Sequence, residues 1–258
     1  MVEAVFGQPV ERLVPNGVDA TQWSPSENQI NKMTQGFLIS NGRGFEATLR
    51  KYDLPRQSWL RSADLLTQPP ILHDIVEHQH GPEGTHSHGV VDGHTWVDPE
   101  TARNQLEIIR KRLVQEGFCS ELESLENSRK LVDQLVEIHK EFAELNLQSL
   151  PLYANHPSYD YLARTHGWNI TSFDLDPQSP LPKEVASEIE ESDGNKIMLF
   201  ETPPCLELAV ALSSLQVQPV VIPTGESPSN DGGWPECLAA GAERLQEAII
   251  SLSAHNKP

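Results

Sequence analysis

Apolar residues keep helical spacing longest between Ser120 and Leu147, where Leu122, Leu125, Leu131, Leu135, Ile138, Phe142 and Leu145 recur without proline or glycine. The spacing predicts one continuous helix, about 40 Å long at 1.5 Å per residue. Asn127 and Asp133 break the heptads, so a rigid connector between two lobes fits better than a coiled coil. Upstream, a Ser/Pro start leads into the short amphipathic stretch SENQINKMTQ. The apolar run GFLIS, an NGRG turn and a second helical pattern follow, as in a βα unit. Asp98, Pro99 and Glu100 have the chemistry of an N-cap, a first-turn proline and an acid at a helix start. Downstream of the long helix, apolar runs alternate with helical patterns. LPLYA, ITSFDL, KIMLF and PVVIP read as buried strands. PSYDYLARTHGW, PLPKEVASEIEES, CLELAVALSSLQ and PECLAAGAERLQEAIISL read as the helices between them.

Two α/β lobes with mainly parallel sheets, joined by a long rigid helix, are therefore expected. The first lobe covers 1–119, the connector 120–148 and the second lobe 149–258. At 258 residues the chain is long enough for two cores. A formal charge of -18 speaks against nucleic acid and anionic membranes as partners. A mean hydropathy of -0.42, with no apolar run of 18 residues, leaves no transmembrane helix. Cys119, Cys205 and Cys237 show neither zinc-ribbon spacing nor a disulfide framework.

The chemistry concentrates in one place. Six of the ten histidines lie between Leu72 and His94, and His78, His80, His86, His88 and His94 are interleaved with glycine. Neutral imidazole is the commonest protein ligand for zinc and its neighbours. A loose histidine-rich loop over 73–94 can therefore bind, hold or deliver such an ion, or it can be a solvated polar loop. HExxH, GxSxG and Gly-rich phosphate-loop motifs are missing from the chain, which speaks against the corresponding enzymes.

Four segments in order resemble the metal-specific solute-binding proteins of ABC transporters, the zinc- and manganese-uptake family. LVPNGVDATQWSPSENQI resembles the segment with the family's first histidine. GFLISNGRGFE resembles its strand and glycine turn, DGHTWVDPETARNQL its D-P-H-x-W motif and following helix, and YANHPSYDYLARTHGW its second-lobe histidine motif. The resemblance implies a metal site in the cleft between two lobes, with His94 and His156 as ligands. It places Glu226, or nearby Asp231, at the late carboxylate, and Glu201 among residues lining the cleft. Thr21 stands where the family carries its first histidine, and His86 or His88, then His78 or His80, are the candidates to replace it. The N-terminus is short relative to the family, so the first lobe is expected to be truncated or rebuilt. His139, His166 and His255 match no family role, and His139 and His255 are expected at the surface.

The function so implied is extracytoplasmic capture of a divalent metal by a monomer, for delivery to an ABC-type permease in the membrane. Three imidazoles and one oxygen suit Zn²⁺, and two carboxylates with two imidazoles would favour Mn²⁺. The histidine-rich loop tips the balance to zinc. A periplasmic or cell-surface location is expected, with a signal or lipid anchor upstream of Met1 in a longer gene product. The competing readings are a degenerate member acting as an interaction module and a metal-dependent hydrolase using Glu201 or Glu226 as base.

Overall fold

The protein is described from a computed structural model, which covers all residues except 17, 74–76, 80–84, 88–90, 148–149, 227–232 and 256–258. For 77–79, 85–87 and 255 only the backbone is described. The fold is mixed α/β with parallel sheets. It divides into two compact units, the first made of Met1–Glu77, Ser87–Glu137 and Glu226–Pro228, the second of His78–His86, Ile138–Gly225 and Ser229–Pro258. No helix among the described residues is long and apolar enough to cross a membrane.

In the first unit, α1 (Val2–Phe6) precedes α2 (Glu27–Gln35). Ser26 opens α2 with a reciprocal capping box, its hydroxyl accepting from the Gln29 N–H and its own N–H donating to the Gln29 side chain. Strand β1 (Leu38–Ser40) pairs in parallel with β2 (Trp59–Arg61), Leu38 opposite Trp59. The helical pattern expected after NGRG is only a 3₁₀ turn, Ala47–Lys51, because Glu46, Tyr52 and Pro55 confine it to a few residues. Trp23, Met33, Leu49 and Leu54 form a core cluster of this unit. Two short strands, β3 (Glu77–Gln79) and β4 (Thr85–Ser87), pair within the histidine-rich segment. The segment is closed at its neck, where Leu72 bridges Val91 in antiparallel sense and the Asp92 N–H donates to the Ile71 carbonyl at 2.9 Å. Helix α3 (Pro99–Gln115) starts as the sequence predicts, with the Asp98 carboxylate accepting from the Thr101 N–H at 3.0 Å and Pro99 in the first turn.

Helix α4 (Glu121–Ala143) opens on a second capping box, Ser120 with Glu123, and its residues fall into both units. It is shorter than the apolar pattern suggests. After Ala143 the chain tightens through a bond from the Leu145 N–H to the Phe142 carbonyl and turns Leu147 into the core. Only the later part of the apolar stripe is used, since Leu135, Ile138 and Phe142 are buried whereas Leu122 and Leu125 are exposed.

The second unit holds a four-stranded parallel sheet in the order β6 (Ile170–Ser172), β5 (Leu152–Ala154), β7 (Lys196–Phe200), β8 (Val217–Val221). Helices α5 (Asp160–His166), α6 (Lys183–Glu190) and α7 (Leu206–Ser214) make the crossovers, and α8 (Trp234–His255) follows β8. Central β7 is buried along its whole length, which accounts for its nearly unbroken apolar run. Tyr153, Leu175, Ile189, Met198, Phe200, Leu208 and Leu212 pack its core. The fully buried Tyr159 hydroxyl donates to the Ile222 carbonyl at 2.7 Å, fastening the chain just past β8.

Tyr159→Phe removes that donor and strands a carbonyl in the interior. A loss of about 1–3 kcal/mol in unfolding free energy is expected, measured by denaturant titration with the slope unchanged.

Candidate metal centre

The first candidate ligand is His94, carried on the short link between the neck of the histidine-rich segment and α3. It caps the 3₁₀ turn Thr95–Val97. Beneath it lies a polar lattice that the sequence reading did not anticipate. The Asn41 amide at the end of β1 donates to the Gly93 carbonyl at 2.7 Å, and its oxygen accepts from Gln105 Nε2 at 2.8 Å. Gln105 also donates to the Ser62 hydroxyl at 2.8 Å, and Thr95 Oγ1 lies 3.0 Å from Gln105 Oε1. The NGRG turn was legible as a turn, but nothing in the chain marked Asn41 or Gln105, 64 positions apart, as partners. Gly93 is required by close approach, since a Cβ there would sit 2.8 Å from the Phe45 Cβ. Phe45 and Trp96 wall the imidazole, each ring centre 5.5 Å from it.

Asp92 sets the ring's chemistry. Its Oδ1 lies 2.8 Å from His94 Nδ1 and accepts the His94 backbone N–H at 2.8 Å. His73 Nε2 approaches the other Asp92 oxygen at 4.0 Å. With Nδ1 tied to the carboxylate, Nε2 is the nitrogen left to face outward, as in carboxylate–histidine–metal triads. That Nε2 lies 3.3 Å from a carboxylate oxygen of Glu226, which groups by contact with the first unit. Gly225, at φ 80° and tight against Trp234, makes the turn just before Glu226. Burial works against a charged imidazole here, but hydrogen bonds and charge from Asp92 and Glu226 outweigh it and hold His94 well above the ordinary pKa of 6.5.

Thr21, at the position of the family's first histidine, is taken up locally. Its N–H and hydroxyl both bond the Asp19 carboxylate, at 2.7 and 2.6 Å. This Asx-type turn leaves the hydroxyl engaged within its own segment. The side chains of His78 and His86, and the whole of His80, His88 and Asp231, lie outside the described residues.

His156 and Glu201 belong to the second unit, and the sheet topology explains their positions. From β5 the chain crosses to β6 on one side, and from β7 to β8 on the other. The C-terminal ends of β5 and β7 therefore flank the switch point where α/β sheets leave a crevice. His156 follows β5 by two residues, and Glu201 follows β7 directly. Their side chains meet there. His156 Nδ1 lies 2.7 Å from the Ser158 hydroxyl and 3.3 Å from Glu201 Oε1, and Ser158 Oγ donates to the same Glu201 oxygen. Again one imidazole nitrogen is held from behind, here through a hydroxyl to a carboxylate. Ser158 was not singled out in the sequence.

Of the histidines left unassigned, His139 departs from expectation. His139 is half-buried, not at the surface, and its ring centre lies 5.0 Å from that of His166.

Each of the two imidazoles is backed by an acceptor, His94 on the link before Thr95–Val97 and His156 just past β5, an arrangement of the kind that metal-binding proteins use. The chain belongs to the family of the zinc-uptake complex component A, periplasmic (ZnuA), whose model matches residues 1–248. It is thus a solute-binding component of metal uptake by ABC transport, with zinc foremost among the divalent cations, and the family is not a class of enzymes. Solved structures agree on the fold. The Zn(II)-bound ZnuA-like domain of Streptococcus pneumoniae AdcA superposes with a TM-score of 0.73 at 19% identity, covering 95% of this chain and 93% of that one. The metal-dependent lipoprotein YcdH of Bacillus subtilis gives 0.76 at 16% identity, again covering 95% and 93%. The solute-binding protein FpvC of Pseudomonas aeruginosa, in complex with Mn²⁺, gives 0.72 at 14% identity, covering 99% and 95%. A search of curated protein sequences returns no significant match.

In the metal-free protein the His94 ring should titrate above 6.5, because Asp92 and Glu226 favour its protonated form. A histidine pKa raised on folding contributes stability that is full below the unfolded value and lost as pH rises through the folded one. Following the His94 ring resonance by NMR should give a midpoint above 6.5 that falls in Glu226→Gln; a wild-type midpoint at or below 6.5 contradicts this electrostatic account.

Proposed function

We propose that this chain captures one Zn²⁺ through His94 and His156, with Glu226 as the carboxylate, and hands it as a monomer to a membrane permease. The observation that carries the reading is the shared preparation of the two imidazoles. Asp92 holds Nδ1 of His94, and the Ser158–Glu201 pair holds Nδ1 of His156, which assigns the ligand role in each ring to Nε2 in this reading. Such backing partners fix the tautomer and raise ligand basicity, and removing them from metal sites typically costs 10- to 100-fold in affinity. The donor set of two imidazoles and a carboxylate suits zinc, with an open place for one more ligand. Glu201 serves as the backing acid of His156 in this reading, and His86 or His88 from the histidine-rich loop fills the place left by Thr21. Zinc found in AdcA and manganese in FpvC support a divalent cargo of this kind.

Binding a cation at His94 displaces the proton that Asp92 and Glu226 favour there. Affinity for zinc therefore falls as pH falls, since protons and metal compete for one nitrogen.

His94→Ala and His156→Ala should each weaken zinc binding at least about 10- to 100-fold, scaled from the cost of losing a mere backing partner. Competition titration against a fluorescent chelator reads this directly. If either variant keeps wild-type affinity, that histidine is not a ligand.

Thr21→His offers an imidazole where a hydroxyl now bonds Asp19. Zinc should bind more tightly, by about tenfold or more as for an added ligand in place of water, and the same titration would show it. Unchanged affinity means that the Asp19 turn holds position 21 away from the ion.

A further inference from the structure

Within the second unit His139 on α4 and His166 in the last turn of α5 come together without any role in the centre described above. Their ring centres are 5.0 Å apart with planes inclined at 35°, and a ring nitrogen of each lies within 4.8 Å of the other's. An aromatic wall completes the surroundings. Trp168 stacks on His166 with centres 5.2 Å apart, and buried Phe142 stands 6.1 Å from it. Both histidines are half-buried, so the pair is sheltered but reachable.

We propose that His139 and His166 form a second, independent site for a borderline divalent transition metal, of the class of zinc, nickel or copper. Two arguments carry it. With a metal–nitrogen distance of about 2.0–2.1 Å, each imidazole centre lies about 3.2 Å from the ion, so two rings at a tetrahedral angle stand about 5 Å apart. The observed 5.0 Å meets that requirement. Aromatic stacking alone would allow the same separation, so the second observation decides. The His139 Nδ1 is buried and has no hydrogen-bond partner among the described residues. A ring held only for stacking would turn that nitrogen to a carbonyl or to water; a buried, unpartnered ring nitrogen on an imidazole beside a second imidazole is a ligand position.

The site does not depend on His94 or His156. Its test uses Trp168 as reporter, in the full-length chain first loaded with one equivalent of zinc. Paramagnetic Ni²⁺ is added while the indole N–H resonance of Trp168, assigned with Trp168→Phe, is followed by NMR. The resonance should broaden in the zinc-loaded wild type, and equally in the His94→Ala/His156→Ala double variant, to which no zinc is added. In His139→Gln and in His166→Gln the midpoint should move to at least about tenfold higher Ni²⁺. Should His166→Gln fail to fold, diamagnetic zinc added to the wild type beyond one equivalent should shift the ring-nitrogen resonances of His139 and His166 together. A Trp168 resonance indifferent to excess Ni²⁺, or one that responds unchanged in His139→Gln, overturns the proposal.

Discussion

An imidazole has two nitrogens, and what holds one decides what the other can do. In this protein the decision is made by Asp92 behind His94, at 2.8 Å, and by the Ser158 hydroxyl and Glu201 behind His156. Asp92 is nearly inaccessible to solvent, so its charge acts on the ring with little screening. The surrounding architecture keeps these acceptors where they are. The neck bridge between Leu72 and Val91 sets Asp92 in place, and the Asn41–Gln105 lattice fixes the Gly93 carbonyl one residue before the ring. Loss of any of these contacts would alter an imidazole's orientation without touching the imidazole.

Parallel strands explain why functional groups collect at particular chain positions in both units. Every parallel connection must leave a strand at its C-terminal end and return at the other, so side chains just past strands gather on one edge. Asn41 follows β1, His156 follows β5 and Glu201 follows β7. Where neighbouring connections depart to opposite sides, as from β5 and β7, the edge opens and can hold polar groups that the sheet interior would reject. Central β7 makes the contrast plain, being buried from Lys196 to Phe200 and then presenting Glu201.

Much of this was readable from residue patterns. β-runs such as KIMLF and ITS, the Asp98–Pro99 helix start and the long apolar stripe of α4 all appear near their expected places, because each rests on local periodicity or capping chemistry. Strand β2, at Trp59–Arg61, was missed: three residues between two serines carry no period to detect. The length of α4 was overestimated because the pattern through Leu145 and Leu147 fits a helix, while burial of Leu147 is satisfied by a turn instead. His94, His156, Glu226 and Glu201 were picked out through family resemblance and motif context. The backing residues Asp92 and Ser158 were not, since they look like ordinary loop residues, and their effect arises only from hydrogen bonds to a histidine two positions away. His139 was misjudged as a surface residue because its place on a polar stretch of α4 says nothing of the aromatic ring contributed by His166.

The neck of the histidine-rich segment bears on how a protein with threonine at position 21 can still complete a zinc site. Because Leu72 and Val91 are bridged, the intervening chain leaves and returns at one point close to Asp92 and His94. Residues 86 and 88 are then only eight and six positions from His94 along a glycine-bearing tether. Six to eight residues cannot span more than about 20–29 Å even when fully extended, at about 3.3–3.6 Å per residue. Such a short span corresponds to an effective concentration in the millimolar range or above. A side chain supplied this way loses more entropy on binding than one fixed on a strand end, which makes it a weaker but faster-released ligand than a rigid histidine. If the ligand set is the one proposed above, two imidazoles backed by Asp92 and Glu201 and a third supplied by the loop, part of the coordination shell would come away first on release, while His94 and His156 stay held.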